Sequence, residues 1–208
     1  MSGEGLVVFG AGGHGRVVAD CALAAGGRVL GFLDDAVARG TRVGELTVLG
    51  PLAWLEKNRV SVLLGIGDNA TRERVAGLVS TLGLGLASVV HPRAAVSSGA
   101  RVGEGTVVLA LAVVNTGARL GRGVIVNSGA VVEHDVVIDD FAHVSPNATL
   151  GGAARLGARA HLGLSACVLP GKSVGSSSVV GAGAVVTRDV NSSTVVVGVP
   201  ARKLPSRA

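Results

Sequence analysis

Aromatic residues are almost missing from this chain: one Trp (Trp54), three Phe and no Tyr, 2 % of 208 residues. A conventional core uses more of them, so the interior must be narrow. Cysteine is scarce as well. Cys21 and Cys167 make no disulfide framework and demand no oxidising compartment. No uninterrupted apolar run reaches membrane-spanning length, and Met1-Ser2-Gly3-Glu4 lacks the basic start of a signal peptide. The expectation is a cytoplasmic protein with no membrane partner. The net charge is +5, but the Lys and Arg are scattered and no aromatic stacking platform accompanies them, which argues against a nucleic-acid partner. Such charge suits small phosphate-bearing molecules.

What the chain does have is a period of six. Every sixth residue from Val96 to Val186 is aliphatic, sixteen positions without an exception. Two residues earlier stands a small residue, with Val124, Val136 and Lys172 as the misfits. Six is neither the helical 3.6 nor the plain 2 of a strand, but positions i−2 and i share one face of an extended chain. Three hexapeptides close a triangular coil, and coils stack so that residues 18 apart lie above one another. At a strand spacing of about 4.8 Å, the five-odd coils make a prism about 25 Å tall. Glycine just after the aliphatic position, as at Gly103, Gly121, Gly157 and Gly175, is expected to supply backbone conformations barred to other residues.

Residues 1–87 lack this register and alternate β and α. Leu6-Val7-Val8-Phe9 reads as a strand running into Gly10-Ala11-Gly12-Gly13-His14-Gly15, followed by a helix over 16–25 and a strand over 29–33 ending at Asp34-Asp35. The G-x-G-x-x-G spacing lets backbone N–H groups meet a phosphate at a helix N-terminus. A short third strand over 47–49, a short helix over 52–57, a buried strand over 62–67 and a helix over 70–82 carrying Arg72, Glu73 and Arg74 complete a small open parallel sheet. Ligands of such sheets bind at the carboxyl ends of the strands, where Gly12-Gly13-His14, Asp34-Asp35 and Gly67-Asp68-Asn69 gather. The boundary is placed before residue 88.

Histidine is the residue that carries acid–base chemistry near neutral pH. His134 lies between Glu133 and Asp135 in an acid-poor segment, and this flanking distinguishes it from a solvated surface histidine. His143 and His161 are 18 apart and so occupy equivalent places in successive coils. A zinc site there needs a third ligand, and none stands at matching spacing.

These residues carry a resemblance that spans both domains and the tail. The 10–15 turn, Phe32-Leu33-Asp34-Asp35, Gly65-Ile66-Gly67-Asp68-Asn69, Glu133-His134-Asp135, Phe141-Ala142-His143-Val144-Ser145, Leu162-Gly163-Leu164-Ser165-Ala166-Cys167-Val168-Leu169-Pro170 and the closing Gly198-Val199-Pro200-Ala201-Arg202 are similar to the bacterial nucleotide-sugar N-acetyltransferases of the PglD type and the related sialic acid O-acetyltransferases of the NeuD type. The resemblance implies a Rossmann-like domain at 1–87 and a left-handed parallel β-helix of hexapeptide repeats at 88–208. The left hand comes from the resemblance alone, since ordinary parallel crossovers are right-handed.

The resemblance also implies an enzyme that transfers acetyl from acetyl-CoA to a UDP- or GDP-linked amino sugar, with no metal, and the apolar outer faces of a single prism lead to the expectation of a homotrimer. Gly12, Gly13, His14, Asp34, Asp35 and Gly67 would hold the nucleotide, and Asn127 would lie near the acceptor sugar. His134 would be the general base and Asp135 its assisting acid. His143, Gly152, Leu164, Gly181 and Ala182 would contact acetyl-CoA, with Ala182 standing where relatives carry glycine; no role transfers to His161. The oxyanion would be met by a backbone N–H of the adjoining coil. Direct attack needs no acyl-enzyme, and Cys167 is not assigned as a nucleophile. Sugar O-acetylation is the alternative within the class. A zinc enzyme on the same prism and a non-catalytic scaffold are the alternatives outside it, and a scaffold leaves the Gly-His turn, the strand-end acids and the 133–135 triplet without a purpose. A single prism is expected to leave Val107, Leu109, Leu111 and Val113 for neighbouring chains to cover.

Overall fold

The computed structural model describes residues 5–204, so the Met1–Glu4 stretch on which the signal-peptide reading rests lies outside them. The chain divides into two compact units, Met1–Pro92 and Arg93–Ala208. Among the described residues no helix is long and apolar enough to cross a membrane.

The first unit is an α/β layer. Its strands are β1 (Leu6–Phe9), β2 (Val29–Leu33), β3 (Arg42–Val43), β4 (Leu46–Gly50) and β5 (Ser61–Leu64), in the order β3-β4-β2-β1-β5. β1 is buried at every position, as a central parallel strand must be. The chain leaves β1 toward β2 and returns to its other side at β5, so the order reverses between β1 and β5. That is where ligands of open sheets bind. The sheet is not wholly parallel: β3 and β4 form an antiparallel hairpin with Arg42 opposite Thr47. The sequence signal for it is the two-residue Gly44-Glu45 turn, where Gly44 adopts φ +62°.

Two helices pack on this sheet. α1 (Gly13–Ala24) starts three residues before the expected point, because the glycine turn itself forms the first helical turn. α2 (Asn69–Thr81) is capped by Asp68, whose Oδ1 accepts from Thr71 N at 2.8 Å. Residues 52–56 form a 3-10 turn rather than an α-helix. Arg72 on this helix is buried, at 1 % exposure, although the neighbouring Glu73 and Arg74 are charged as well.

The second unit realises the hexapeptide register throughout. Sixteen two-residue strands run from Ala95–Val96 to Val185–Val186, each ending on one of the sixteen aliphatic residues. Partners are 18 apart and parallel, as in Val113↔Val131, Arg119↔Val137 and Ile125↔His143. The aliphatic column and the small residues at i−2 form one continuous core. Val96 and Val102, with their small partners Ala94 and Ala100, are only partly buried, as the first coil has no coil before it. Val124 and Val136 fit inside at 0 % exposure, so the inward i−2 site accepts more than Ala.

The corners correct one expectation. The left-handed residue of each corner stands three positions after the aliphatic one, not directly after it. Of the fourteen corners from position 105 to 183, six use glycine and eight use other residues, among them Asp135 (φ 60°) and Phe141 (φ 56°). A non-glycine residue there costs about 1–2 kcal/mol. Each is held by a backbone bond to the preceding coil, such as Asp135 N to Thr116 O at 3.1 Å and Ala153 N to His134 O at 2.9 Å. Glycine directly after the aliphatic position has a different cause. At Gly157 a Cβ would lie 2.5 Å from Ser176 N, and at Gly163 2.6 Å from Val180 O. There the next coil simply comes too close for a side chain.

The surface expected to await other chains is also smaller than anticipated. Val107 and Leu109 are each 1 % exposed, already covered within the single chain, whereas Leu111 is 59 % exposed.

Candidate active site

In the first unit the fingerprint glycines divide into two kinds. Gly10 adopts φ +107°, and a Cβ on Gly15 would collide with Gly10 O, so these two shape the turn. Gly12, Gly13 and Gly67 are different: a Cβ on any of them would meet nothing within 4 Å. Open space above three glycines at the β1/β5 reversal is room for a ligand. Gly12 caps α1 without a side-chain bond. Asp34 braces the turn, its Oδ2 accepting from Ala11 N and its Oδ1 from Ala36 N, both at 2.9 Å. Asp35 Oδ1 accepts from Leu52 N at 2.9 Å, and its carboxylate is exposed. Asp35 is therefore the better placed of the two acids to meet a ligand. Burial, and then the Arg72 charge, push the His14 imidazole down to about 4, so it is neutral near pH 7.

In the second unit, His134 and Gly152 are 18 apart and share one corner. His134 precedes the left-handed Asp135, which turns the carboxylate back onto the ring: Nδ1 lies 3.0 Å from Asp135 Oδ2. A carboxylate only accepts, so Nδ1 carries the hydrogen and Nε2 is left with a free lone pair. Nε2 lies over Gly152, where a Cβ would sit 2.5 Å from it. Only one of the two flanking acids contacts the imidazole ring. Glu133 Oε2 accepts from Asn115 Nδ2 at 2.9 Å, one coil away, and from the His134 backbone N at 3.4 Å. Asn115 escaped the sequence reading, although its place 18 residues before Glu133 is a signal that could have found it.

His143 and Asn127 meet on a different part of the prism. Asn127 Oδ1 accepts from Ser128 N at 2.9 Å, which turns Nδ2 toward His143 Nε2 at 3.1 Å. One coil later the same geometry recurs between Ser145 Oγ and His161 Nε2 at 2.7 Å. The two imidazoles stack, centroids 4.8 Å apart and 7° from parallel. Face-to-face rings do not converge on a common ion. Among the described residues no three His, Cys, Asp or Glu gather as a metal site would require. Leu164 and Ala182 share the corner after this face, tied by Gly183 N to Leu164 O at 2.8 Å, and Gly181 adjoins them.

In the second unit the expected site residues therefore form two groups. His134, Asp135 and Gly152 hold one corner. Asn127, His143, Leu164, Gly181 and Ala182 hold another corner and the face before it. One hexapeptide separates the corners, up to about 20 Å of extended chain.

The PglD N-terminal domain family matches residues 5–78. A histidine variant of perosamine N-acetyltransferase from Caulobacter crescentus, in complex with CoA and GDP-perosamine, is 36 % identical over 99 % of both chains, with TM-score 0.93. The acetyltransferase domain of PglB from Neisseria gonorrhoeae, in complex with acetyl coenzyme A, is 38 % identical with TM-score 0.91, covering 98 % of this chain and 100 % of that one. WeeI from Acinetobacter baumannii is 26 % identical with TM-score 0.89, over 96 % and 99 % of the two chains. A 43-residue stretch is 49 % identical to a candidate acetyltransferase of Schizosaccharomyces pombe, spanning only 21 % of that protein's length. With likeness over the whole chain, an α/β unit followed by a left-handed parallel β-helix, and the expected motifs in place, this chain is an acyltransferase and belongs to the PglD-type family.

Proposed function

We propose that the protein transfers the acetyl group of acetyl-CoA to the amino group of a nucleotide-linked amino sugar, with His134 as general base. The observation that carries this reading is the His134 imidazole, whose Nδ1–H is held by Asp135 while Nε2 faces out over Gly152. A sugar amine is mostly ammonium at neutral pH and attacks only as the free amine. As its nitrogen bonds to the thioester carbonyl carbon, Nε2 takes an N–H proton; the C–S bond then breaks and CoA leaves as thiolate. The relatives in complex with CoA and GDP-perosamine support both substrates. The Gly12, Gly13, Gly67 and Asp35 edge of the first unit holds the nucleotide, and His143, Gly152, Leu164, Gly181 and Ala182 contact acetyl-CoA. The reading places the enzyme in the cytoplasm, where both substrates are available.

The test is a binding and turnover screen with UDP- and GDP-linked amino sugars. Wild type should raise its melting temperature with one of them and acetylate it. Asp35→Ala should lose affinity for that sugar while binding acetyl-CoA unchanged. Acetylation of a sugar hydroxyl with no amine product would overturn the reading.

The two separated groups make the homotrimer part of the same proposal. A threefold arrangement sets unlike faces of neighbouring prisms together, so the His134 corner of one chain can meet the His143 face of the next. Exposed Leu164 (56 %) and Leu169 (41 %) supply apolar surface for such a contact. At acetyl-CoA concentrations far below the KM that His143→Ala is expected to raise, His134→Ala and His143→Ala chains should regain about a quarter of wild-type activity when co-assembled one to one, because half the bases and half the neighbouring faces are intact. Sites complete within each chain would regain nothing, and a stable monomer in sedimentation would dismiss the trimer outright.

A further inference from the structure

Arg72 is the largest fully buried side chain of the described protein, yet it is a cation. Burying a guanidinium is costly unless its donors are engaged. Nη1 donates to Ile66 O and Gly67 O, both at 3.1 Å, and Nη2 donates to Asn69 Oδ1 at 2.7 Å. These acceptors belong to the turn at the end of β5 and to the first residue of α2 that follows it. That turn is pressed against the glycine turn at the end of β1: Gly65 N donates to Phe9 O at 2.8 Å, and a Cβ on Gly65 would lie 2.7 Å from Gly15 Cα. The guanidinium thus stands directly behind the two turns that line the open space over Gly12, Gly13 and Gly67. It also acts across that distance, since its charge is felt at His14.

We propose that Arg72 is the positioning residue and buried cation of the N-terminal ligand site, holding the 66–69 turn in shape and setting a fixed positive charge behind the glycine turn that favours a diphosphate-bearing ligand. The inference rests on the nucleotide reading and names the part of the nucleotide that the protein interior recognises. Sheltered from solvent, this charge is screened far less than a surface lysine would be. Burial brings the guanidinium down only to about 10, with Asp68 acting to raise it, so it stays charged at any working pH. A neutral His14 then adds no second cation to the site.

The experiment compares wild type, Arg72→Lys and Arg72→Met by calorimetry, using GDP and UDP and their uncharged counterparts guanosine and uridine. Arg72→Met should weaken the diphosphate that wild type binds by about tenfold or more, and leave the matching nucleoside within about threefold. Arg72→Lys, which keeps the charge but not the fork, should lose less. By NMR, the His14 pKa should rise in Arg72→Met, though it should stay below its ordinary value because burial remains the larger cause, and it should not rise in Arg72→Lys. Equal weakening of diphosphate and nucleoside, with His14 unmoved, would reduce Arg72 to a prop for the turn and overturn the inference. Wild type that binds neither GDP nor UDP would sink the nucleotide reading itself. If Arg72→Met fails to fold, Asn69→Ala, which frees one arm of the guanidinium, should still weaken the diphosphate selectively; unchanged binding there would count against the proposal.

Discussion

Replacing His134 with alanine should lower kcat by about 10²–10⁴, the usual worth of a positioned general base. The dissociation constant for acetyl-CoA should barely move, because the residues proposed to contact it lie mostly on another corner of the prism. Asp135→Asn should cost less. An amide can still bond to Nδ1, but it can also present N–H to it, which would favour the tautomer with the hydrogen on Nε2, where the proton must arrive. The imidazole ring is exposed at a corner and supports no core, so the melting temperature should stay near wild type. A His134→Ala enzyme with near-full turnover on every amino-sugar acceptor would end the catalytic assignment.

Gly152→Ala is the second large effect, and it removes no functional group. Its backbone is not in the left-handed region, so alanine fits the fold without strain at that residue. The added methyl would nevertheless lie 2.5 Å from His134 Nε2 and 2.7 Å from Cε1, and the exposed ring must swing aside. Displacing a catalytic group by about 1 Å can cost about a hundredfold in rate. The expected result is a kcat loss of about that size with unaltered stability, together with a raised KM for acetyl-CoA. Near-wild-type kcat would mean that the ring position over Gly152 is irrelevant to the chemistry.

The prism was legible because its signal is redundant. Sixteen aliphatic positions at one spacing leave no other register, and each strand ended on the residue anticipated. What could not be read was the use of the positions between them. Gly157 and Gly163 looked like sources of unusual backbone, yet they answer to the closeness of the next coil, which only stacking reveals. The left-handed corners went unnoticed because Asp135, Phe141 and Asn147 share no composition; bonds to the coil before hold them there. Glu133 and Asp135 are equivalent in a linear reading, but at the corner after Val132 their side chains turn different ways, one toward Asn115 and one toward the imidazole. Arg72 drew no separate reading beside its charged neighbours Glu73 and Arg74, because nothing local announces a guanidinium turned back into a strand-end turn. The hairpin at Arg42–Val43 failed for want of length, two residues being too few to display alternation.

The eighteen-residue repeat limits how this gene can change. One codon added inside a coil would turn every later side chain to the opposite face, putting valines in water and charges in the core. It would also part His134 from Gly152, which meet only because they are in phase. Two kinds of length change remain harmless: a bulge looped out at a corner, or the gain or loss of a whole coil away from the catalytic edge. Descendants of this chain can therefore grow taller or shorter in steps of eighteen codons, while the spacing between His134 and Gly152 stays frozen.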